Sequence, residues 1–305
     1  MKVVVTGALG HIGSSLIRNQ GFLSQVDELL LIDNLSTQKH SSLFSLPRSA
    51  NFRFIQGDAA VQLTSDVVRG CNAVIHLAGI IDPVGSVNHP QALVDNNLRI
   101  TKHVVEQCVS HQVPMIFASS TSVYTPSGDT ADERSTELYP SSPYAQCKLK
   151  EESYILERLG PGQSMIFRFG TIFGTSPGMR FQTAVSKFCW QAATGVPIEV
   201  WTTALQQIRP YLAVDDAAAA LARSALERIL PGKVVNAVTC NVTVSDVLRA
   251  IESCGPSVQV KIIDSPIMNS FSFGAQTDYA RALGFGFHGD LQTGVRETMA
   301  LLGNL

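Results

Sequence analysis

The sequence has few charged residues and no excess of positive charge. Asp, Glu, Lys and Arg make up 16% of the chain, and 23 Lys and Arg residues face 25 Asp and Glu residues. Binding to a nucleic-acid backbone or to an anionic membrane surface usually depends on a surplus of Lys and Arg. We therefore expect no nucleic-acid partner and no membrane partner.

Long apolar runs and clustered metal ligands are also lacking. No apolar stretch approaches the roughly 18 residues of a membrane-spanning helix, and the short apolar run after Met1 predicts a buried strand rather than a signal peptide. The six cysteines include no C-x-x-C pair, and the seven histidines form no H-x-H or H-E-x-x-H pattern. We therefore expect reduced core thiols, no metal site and a cytoplasmic protein.

What the N-terminal half does contain is an alternation of short apolar runs with helical stretches. Strands are predicted at 2–6, 28–32, 52–56, 73–77, 114–118 and 163–168, and helices at 12–20, 59–69, 91–111 and 143–158. Runs such as Val3-Val4-Val5 are apolar on both faces, which is typical of parallel strands covered by helices on each side. The pattern predicts an α/β fold, a Rossmann-type doubly wound parallel sheet.

This alternation ends near residue 170, where Gly, Pro, Ser and Thr cluster. Beyond it, helices are predicted at 181–193, 214–229, 243–253 and 290–302, and short strands near 197–200 and 233–237. A chain of 305 residues is long enough for one large unit and one small unit. We expect a Rossmann domain over 1–170 and a smaller C-terminal α/β lobe over 171–305, with some segments of the lobe returning to the main sheet.

A glycine-rich motif, Thr6-Gly7-Ala8-Leu9-Gly10-His11-Ile12-Gly13, lies between the first strand and the first helix. Glycines in this place leave backbone N–H groups at a helix N-terminus open to a pyrophosphate. Asp33 ends the second strand 20 residues after Gly13, where a carboxylate accepts the adenosine ribose hydroxyls and repels a 2′-phosphate. The motif predicts NAD as the cofactor, and a turn or helix-cap residue is the alternative for Asp33.

Polar residues end two further strands at the edge where such a sheet binds its ligand. Asp58 follows the third strand, where it can accept from an adenine amino group or cap a helix. His76 lies among apolar residues of the fourth strand, and we expect a hydrogen-bonded core histidine rather than a catalytic one.

The strongest motif is Tyr144-Ala145-Gln146-Cys147-Lys148, placed on a helix by the preceding Ser141-Ser142-Pro143. The i, i+4 spacing puts the phenol and the ammonium on one helix face. A phenol with a pKa of about 10 is a poor base at neutral pH, and a neighbouring ammonium favours the phenolate. Ser120, after the fifth strand, is placed to hold a substrate oxygen beside the phenol.

Together with Asp33-Asn34-Leu35-Ser36, His76-Leu77-Ala78 and the segments 119–124 and 209–216, these motifs resemble the extended short-chain dehydrogenases/reductases. Within the NAD-dependent epimerase/dehydratase family, the sequence is most similar to the UDP-galactose 4-epimerase branch. The resemblance implies a catalytic set of Ser120, Tyr144 and Lys148. It implies cofactor contacts from Gly7, Gly10, His11, Ile12, Gly13, Asp33, Asn34, Asp58, Ala59, Leu77, Ala78, Asn97, Tyr144 and Lys148.

The substrate half departs from the family pattern. Thr171 replaces the usual asparagine that helps to hold the substrate, and Thr125 replaces the glycine after Val-Tyr. The resemblance implies that Arg209 grips the phosphates of a sugar nucleotide, with a salt bridge to Asp215 or Asp216 as the alternative. Arg180 is either an additional anion contact or a solvent-facing residue at a helix start. The expected substrate contacts are therefore Ser120, Thr171, Arg180 and Arg209.

The resemblance implies an NAD-dependent epimerase that acts on a nucleotide-diphosphate sugar, at C4, through a transient 4-keto intermediate. The domain over 1–170 would bind NAD and the lobe the substrate, and a homodimer would form through the helices at 91–111 and 143–158. A nucleotide-sugar dehydratase or dehydrogenase is the alternative. Dehydratases of the family carry an Asp-Glu pair where this chain has Thr121 and Ser122. From another class, a non-catalytic NAD(H)-binding sensor or scaffold stays open.

Overall fold

A seven-stranded parallel sheet forms the centre of the protein. The computed structural model describes residues 1–81, 90–124, 130–135, 138, 140–255, 258–263 and 272–303. The strands in this part of the chain are β1 (Lys2–Thr6), β2 (Glu28–Asp33), β3 (Asn51–Gln56), β4 (Ala73–His76), β5 (Met115–Ser120), β6 (Thr130–Ala131), β7 (Ser164–Phe169), β8 (Thr171–Phe173), β9 (Ile198–Trp201), β10 (Ile208–Ala213), β11 (Val234–Ala237), β12 (Cys240–Thr243), β13 (Val260–Ile263) and β14 (Gly274–Ala275). The helices are α1 (His11–Leu16), α2 (Gln20–Leu23), α3 (Ala59–Gln62), α4 (Ser65–Val68), α5 (Pro90–His111), α6 (Pro143–Arg158), α7 (Ala184–Ala193), α8 (Val214–Glu227), α9 (Val244–Glu252), α10 (Asp278–Ala282) and α11 (Leu291–Leu302).

The central sheet has the order β3-β2-β1-β4-β5-β7-β11, and every neighbouring pair in it is parallel. The chain runs outward from β1 to β3 and then crosses back to β4. The predicted doubly wound parallel sheet is therefore confirmed. In such sheets a crevice opens at the carboxyl ends of the strands next to the reversal, which here are β1, β2 and β4.

Successive residues of the inner strands supply two separate core layers. Val3 and Val5 pack with Leu16 of α1 and with the alanines of α8, whereas Val4 packs with Val104 of α5 and Ile155 of α6. Because side chains alternate between the two faces of a strand, a strand with a helical layer on each side must be apolar throughout.

The C-terminal elements build a second core beside the sheet. A three-stranded sheet has the order β12-β10-β8, and β9 pairs with β13. Phe173, Phe188, Tyr211 and Val295 are buried between these strands and α7, α9 and α11. Within the C-terminal region, β11 joins the central sheet and α8 packs on α1.

Two helix predictions are wrong because the chain restarts within them. The predicted helix 59–69 is divided into α3 and α4: buried Leu63 turns out of helical geometry with ψ of 72°, and Thr64 is extended and begins the next helix. The predicted helix 12–20 ends at Leu16, and Asn19 then caps α2 by accepting from Phe22 N. The strands β8, β10, β12 and β13 were not predicted, since each depends on pairing within the second core.

The described ranges contain no helix that is long and apolar enough to cross a membrane. Within the same ranges no group of three His, Cys, Asp or Glu side chains is arranged to hold a metal ion. The six cysteines are all free thiols. Thr125 lies outside the residues that the structure describes.

Candidate active site

The glycine-rich motif forms a tight loop between β1 and α1 in which two glycines are required by packing. Gly7 has a φ of 67°, and a Cβ there would lie 2.6 Å from Ala78 N. A Cβ at Gly13 would lie 2.6 Å from Ala8 O. At Gly10 a Cβ would come no closer than 3.4 Å to Gly7 O, so the protein itself leaves room there. Open backbone at Gly10, just before α1, fits the close approach of a pyrophosphate.

Asp33 lies against this loop at the carboxyl end of β2. Its Oδ2 accepts a hydrogen bond from Leu9 N at 3.1 Å, and Oδ1 accepts from Leu35 N at 2.9 Å. The next side chain, Asn34, accepts from Ser36 N at 2.9 Å. The carboxylate thus forms a turn and also borders the glycine loop, so the turn function and a ribose-binding function are compatible at this residue.

Asp58 caps the helix that follows β3, as one of its two interpretations predicted. It accepts from Ala60 N at 2.9 Å and from Arg99 Nη2 at 2.5 Å. Ala59, the first residue of that helix, is buried. Both lie at the carboxyl edge of the sheet, on the same side as Asp33.

The end of β4 borders the glycine loop from the other side. Ala78 N donates to Thr6 Oγ1 at 3.4 Å, and Leu77 lies directly against Gly7. The amide of buried Asn97 on α5 binds both backbone groups of Ile80, at 2.8 Å to N and 3.0 Å to O. Asn97 therefore holds the segment after β4 in place.

Residues 174–180 cross over the glycine loop. Gly178 packs so closely on it that a Cβ would overlap Leu9 O and come within 2.5 Å of Gly10 O. Ser176 Oγ donates to His11 O at 2.9 Å, and Lys39 Nζ donates to Met179 O at 2.7 Å. We call residues 174–180 the crossing segment.

His11, at the start of α1, is held by this crossing segment while Ile12 packs against the core beside it. The His11 Nε2 atom lies 3.0 Å from Gly174 O, and its Nδ1 atom is buried without a hydrogen-bond partner in the described structure. Burial lowers the pKa of His11 to about 4. The imidazole is therefore neutral at neutral pH.

Tyr144 and Lys148 project from one face of α6 into the protein. The helix begins at Pro143, and Ser142 Oγ caps it by accepting from Ala145 N at 3.1 Å. Tyr144 is 7% exposed and Lys148 is 6% exposed. The Lys148 Nζ atom lies 5.8 Å from the centre of the Tyr144 ring and donates to Ala118 O at 3.1 Å.

Opposing influences act on these two groups. Burial raises the pKa of the Tyr144 phenol, and the positive charges of Lys148 and Arg180 work against that rise. Burial is the largest single influence on the pKa of Lys148 and lowers it, but Glu151, Tyr144 and Cys147 together outweigh burial, and the net effect is a raised pKa. Lys148 is therefore a cation that favours the phenolate form of Tyr144.

Ser120 is the last residue of β5, the strand on which Ala118 binds Lys148. Its Oγ accepts from Ser122 N at 3.1 Å and begins a 3₁₀ turn over Thr121–Val123, and α6 packs against this turn. Thr121 is buried and donates to Phe169 O at 3.3 Å. Ser120 and the Tyr144 helix thus meet at the end of β5.

Besides Ser120, the three other candidate substrate contacts, Thr171, Arg180 and Arg209, lie in different places. Arg180 donates to Ile81 O at 2.6 Å, and its charge lowers the pKa of His11 as well as that of Tyr144. It therefore lies near both the glycine loop and the phenol, in the crossing segment rather than at a helix start. Thr171 on β8 pairs with Tyr211 of β10 in the second core.

Arg209 also belongs to β10, where its guanidinium lies 5.9 Å from the Phe273 ring and donates to Gln207 Oε1 at 2.8 Å. Burial lowers its pKa. The two carboxylates named above as alternative partners of Arg209 bind other groups. Asp216 accepts from Thr239 Oγ1 and from two backbone N–H groups, and Asp215 accepts from Ser15 Oγ.

Three features of the site were not predicted from the sequence. Lys39 and Gly178 are brought to the glycine loop from distant parts of the chain, and no local pattern marks them. Glu151 is fully buried beside Lys148. Its i+3 spacing from Lys148 on the predicted helix was visible in the sequence and indicates a same-face pair.

Comparison with known proteins gives consistent matches over most of the chain. The profile of the NAD dependent epimerase/dehydratase family matches residues 3–237. The uncharacterized UDP-glucose epimerase YtcB of Bacillus subtilis is 27% identical over 227 residues, which are 71% of this chain and 70% of that protein. The UDP-glucuronate 4-epimerase of Thermodesulfobacterium geofontis is 28% identical over 226 residues, 70% of this chain and 68% of that protein.

Solved structures match the whole fold. The structure of MoeE5 in complex with UDP-glucuronic acid and NAD superposes with a TM-score of 0.85, at 26% identity, over 98% of each chain. The agreement extends through both cores, so the second core is part of the shared architecture.

Proposed function

Because the chain belongs to the NAD-dependent epimerase/dehydratase family, we propose that it is an NAD-dependent epimerase that inverts C4 of a nucleotide-diphosphate sugar. The observation that carries the proposal is the buried Tyr144–Lys148 pair, with the ammonium 5.8 Å from the phenol ring, at the end of the strand that bears Ser120. A non-catalytic sensor would have no use for a cation held beside a buried phenol.

The residues around the glycine loop fit NAD. Gly7, Gly10, Gly13 and the backbone at His11 and Ile12 would hold the pyrophosphate. Asp33 and Asn34 would bind the adenosine ribose, and Asp58 and Ala59 would border the adenine. Leu77, Ala78 and Asn97 would flank the cofactor, with Tyr144 and Lys148 at its nicotinamide end. Asp33 disfavours NADP, since a 2′-phosphate would meet a carboxylate.

When bound, NAD⁺ would supply the hydride acceptor for sugar C4, and its reduced form the hydride donor for the opposite face. Tyr144, as phenolate, takes the proton of the C4 hydroxyl, and Ser120 binds the same oxygen. Lys148 stabilises the phenolate and would hold the nicotinamide ribose. After the 4-keto sugar has turned over, Tyr144 gives the proton back, so one acid–base group serves both halves of the reaction.

The same site is poorly suited to elimination of water. Removal of the C5 proton in a dehydratase needs a base besides the tyrosine. The positions after Ser120 are Thr121, whose hydroxyl is bound to Phe169 O, and Ser122. Neither hydroxyl is a base at neutral pH, which supports epimerisation over dehydration.

We infer that the substrate is a uridine diphosphate sugar, because the relatives YtcB, UDP-glucuronate 4-epimerase and MoeE5 are named for UDP-sugars or bind one. Arg209 would bind the diphosphate, Thr171 would lie beside it, and Arg180 would contact the substrate near Tyr144. In this proposal residues 1–170 form the NAD-binding domain, and 171–305 mainly bind the substrate.

A cytoplasmic homodimer is also proposed. The outer face of α5 and α6 carries a groove of about 400 Å³ lined by Leu98, Lys102, Leu149 and Tyr154, among others. Leu156 on α6 is an exposed apolar side chain. A second copy of this face would cover these apolar groups. The mass of the protein in solution, measured by analytical ultracentrifugation, tests the proposed dimer. A monomeric mass would contradict it.

The function is tested by incubating the protein and NAD⁺ with UDP-, dTDP-, GDP- and CDP-sugars in D₂O and following the products by NMR and mass spectrometry. An epimer of unchanged mass, without carbon-bound deuterium and without accumulation of NADH, supports the proposal. A product lighter by one water and labelled by solvent indicates a dehydratase, and stoichiometric NADH indicates a dehydrogenase.

Tyr144→Phe keeps the ring and removes the base, so turnover should fall by at least about 100-fold while NAD⁺ still binds. Tyr279→Phe, a change of the same kind on α10, is the control and should leave turnover unchanged. A Tyr144→Phe protein with the parent rate would remove the assigned base.

A further inference from the structure

Glu151 is a fully buried carboxylate on the catalytic face of α6, and the proposed reaction does not use it. Its exposed fraction is 0%. Oε2 lies 3.1 Å from Lys148 Nζ in a buried ion pair. Oε1 accepts from Thr101 Oγ1 at 2.6 Å. A carboxylate buried this deeply is retained only with such partners.

The hydrogen bonds beyond Glu151 have a fixed direction. Because the carboxylate only accepts, Thr101 donates to it and must accept from His76 Nε2, 3.1 Å away. His76 Nδ1 then accepts from Thr6 Oγ1 at 2.7 Å. Burial lowers the pKa of His76 to about 3, so the imidazole stays neutral. The network therefore anchors Glu151 to α5, β4 and β1 without adding a charge.

The charges that face the phenol can be named from each packed element. Lys148, Glu151 and the Cys147 thiol come from α6, and Arg180 comes from the crossing segment. Burial raises the pKa of Cys147 to about 12, so the thiol is neutral at neutral pH. Among the residues that the structure describes, two cations and one anion thus act on Tyr144, and Glu151 is that anion.

The ammonium of Lys148 has three N–H groups. One donates to Ala118 O at 3.1 Å, and Glu151 Oε2 lies 3.1 Å from the same nitrogen. The nitrogen also lies 4.4 Å from the centre of the Phe117 ring. Glu151 on α6 and Ala118 on β5 therefore hold the Lys148 ammonium from two elements.

We propose that Glu151 is a positioning residue that fixes the Lys148 ammonium and offsets part of the positive charge acting on the Tyr144 phenol. This inference rests on the proposed function of Tyr144 as the acid–base group. The offset matters because Tyr144 must return the proton it takes, and a phenolate stabilised too strongly would be a poor acid in the second half of the reaction.

The test is the Tyr144 pKa in the NAD⁺-bound protein, followed by NMR with carbon-13 at tyrosine Cζ and assigned by its loss in Tyr144→Phe. Glu151→Gln keeps the shape and the acceptor for Thr101 but removes the charge. It should lower the Tyr144 pKa by about one unit, the low end of the effect of a buried neighbouring charge. The acidic limb of the kcat–pH profile should move to lower pH with it.

Glu297→Gln is the control, because it removes the same charge from an exposed position of α11, away from the α5–α6 face, and should shift the Tyr144 pKa by less than about 0.2 unit. Glu151→Asp keeps the charge and should stay near the parent value. If the Glu151→Gln protein does not fold, Glu151→Ala is the second variant. It removes the same charge and introduces alanine, the residue with the highest helix propensity.

An unchanged Tyr144 pKa in the neutral Glu151 variants would overturn the inference, and so would a raised one. A change of the Tyr144 pKa in Glu151→Asp as large as that in Glu151→Gln would also overturn the inference. The shape of the side chain rather than its charge would then set the Tyr144 pKa. The pKa measurement needs no substrate. An active Tyr144→Phe protein would therefore refute the proposed function separately, while a null result with Glu151 refutes only its positioning role.

Discussion

Glu152→Gln removes one charge from the buried ion pair that joins α6 to β7. Arg168 donates to Glu152 from Nε at 3.0 Å and from Nη2 at 2.6 Å, and both side chains are 4% exposed. Ser119 Oγ also donates to Glu152, at 2.5 Å. The carboxylate thus links the helix of Tyr144 and Lys148 to the strand end of Ser120.

The expected cost follows from burial. Removal of one partner from a buried pair leaves an uncompensated charge and costs about 3–5 kcal/mol. An exposed pair contributes about 0–1 kcal/mol. Arg158 and Glu106 form such a pair between α5 and α6, with side chains 41% and 43% exposed. Glu106→Gln is therefore the control, because it removes a charge from an exposed ion pair instead of a buried one.

Urea unfolding followed by circular dichroism measures both variants, and the free energy of unfolding is obtained by linear extrapolation. Glu152→Gln should lower it by about 3–5 kcal/mol and Glu106→Gln by less than about 1 kcal/mol. The double change Glu152→Leu with Arg168→Met should recover part of the loss, because no buried charge remains. Equal losses for Glu152→Gln and Glu106→Gln would refute the reasoning.

Three further predictions concern the cofactor half. By calorimetry, NAD⁺ should bind at least about tenfold more tightly than NADP⁺, and Asp33→Ala should narrow that gap; equal binding by the parent contradicts it. Gly178→Ala should weaken NAD⁺ binding, since its Cβ would overlap the glycine loop, whereas Gly160→Ala, where the added Cβ meets nothing within 4 Å, should not. The free energy of unfolding should fall as pH drops from about 6.5 to 4, because His11 and His76 stay neutral over that range only when folded, with pKa values of about 4 and about 3; His11→Asn should remove the His11 share of that decline in urea titrations.

The fold of the N-terminal half could be predicted from the sequence because its signals are local. The glycine spacing, Asp33 at a strand end and the Tyr144–Lys148 spacing each occupy one short stretch. The backbone requirement at Gly7, with φ of 67°, is a property of the loop itself. Periodicity likewise identified the inner strands, since their apolar runs serve two helical layers.

The second core could not be predicted because its strands depend on distant partners. β10 pairs with β12 and β8, and Tyr211 is buried only by that arrangement. Its sequence, Ile208-Arg209-Pro210-Tyr211, has neither a continuous apolar run nor a clean alternation. The break at Leu63 was missed for a related reason: the side chain turns into the core of the sheet.

The crossing segment connects the second core to the glycine loop, which lie in different halves of the sequence. It begins after β8, a strand of the second core, and its Gly178 lies directly on the glycine loop of the first. Two residues later, Arg180 reaches the neighbourhood of Tyr144. The position of the loop that would hold the pyrophosphate and the charge near the phenol are therefore set by one stretch of chain. A change that displaces Gly178 must move Arg180 as well, so cofactor affinity and the acid–base behaviour of Tyr144 should change together in Gly178→Ala.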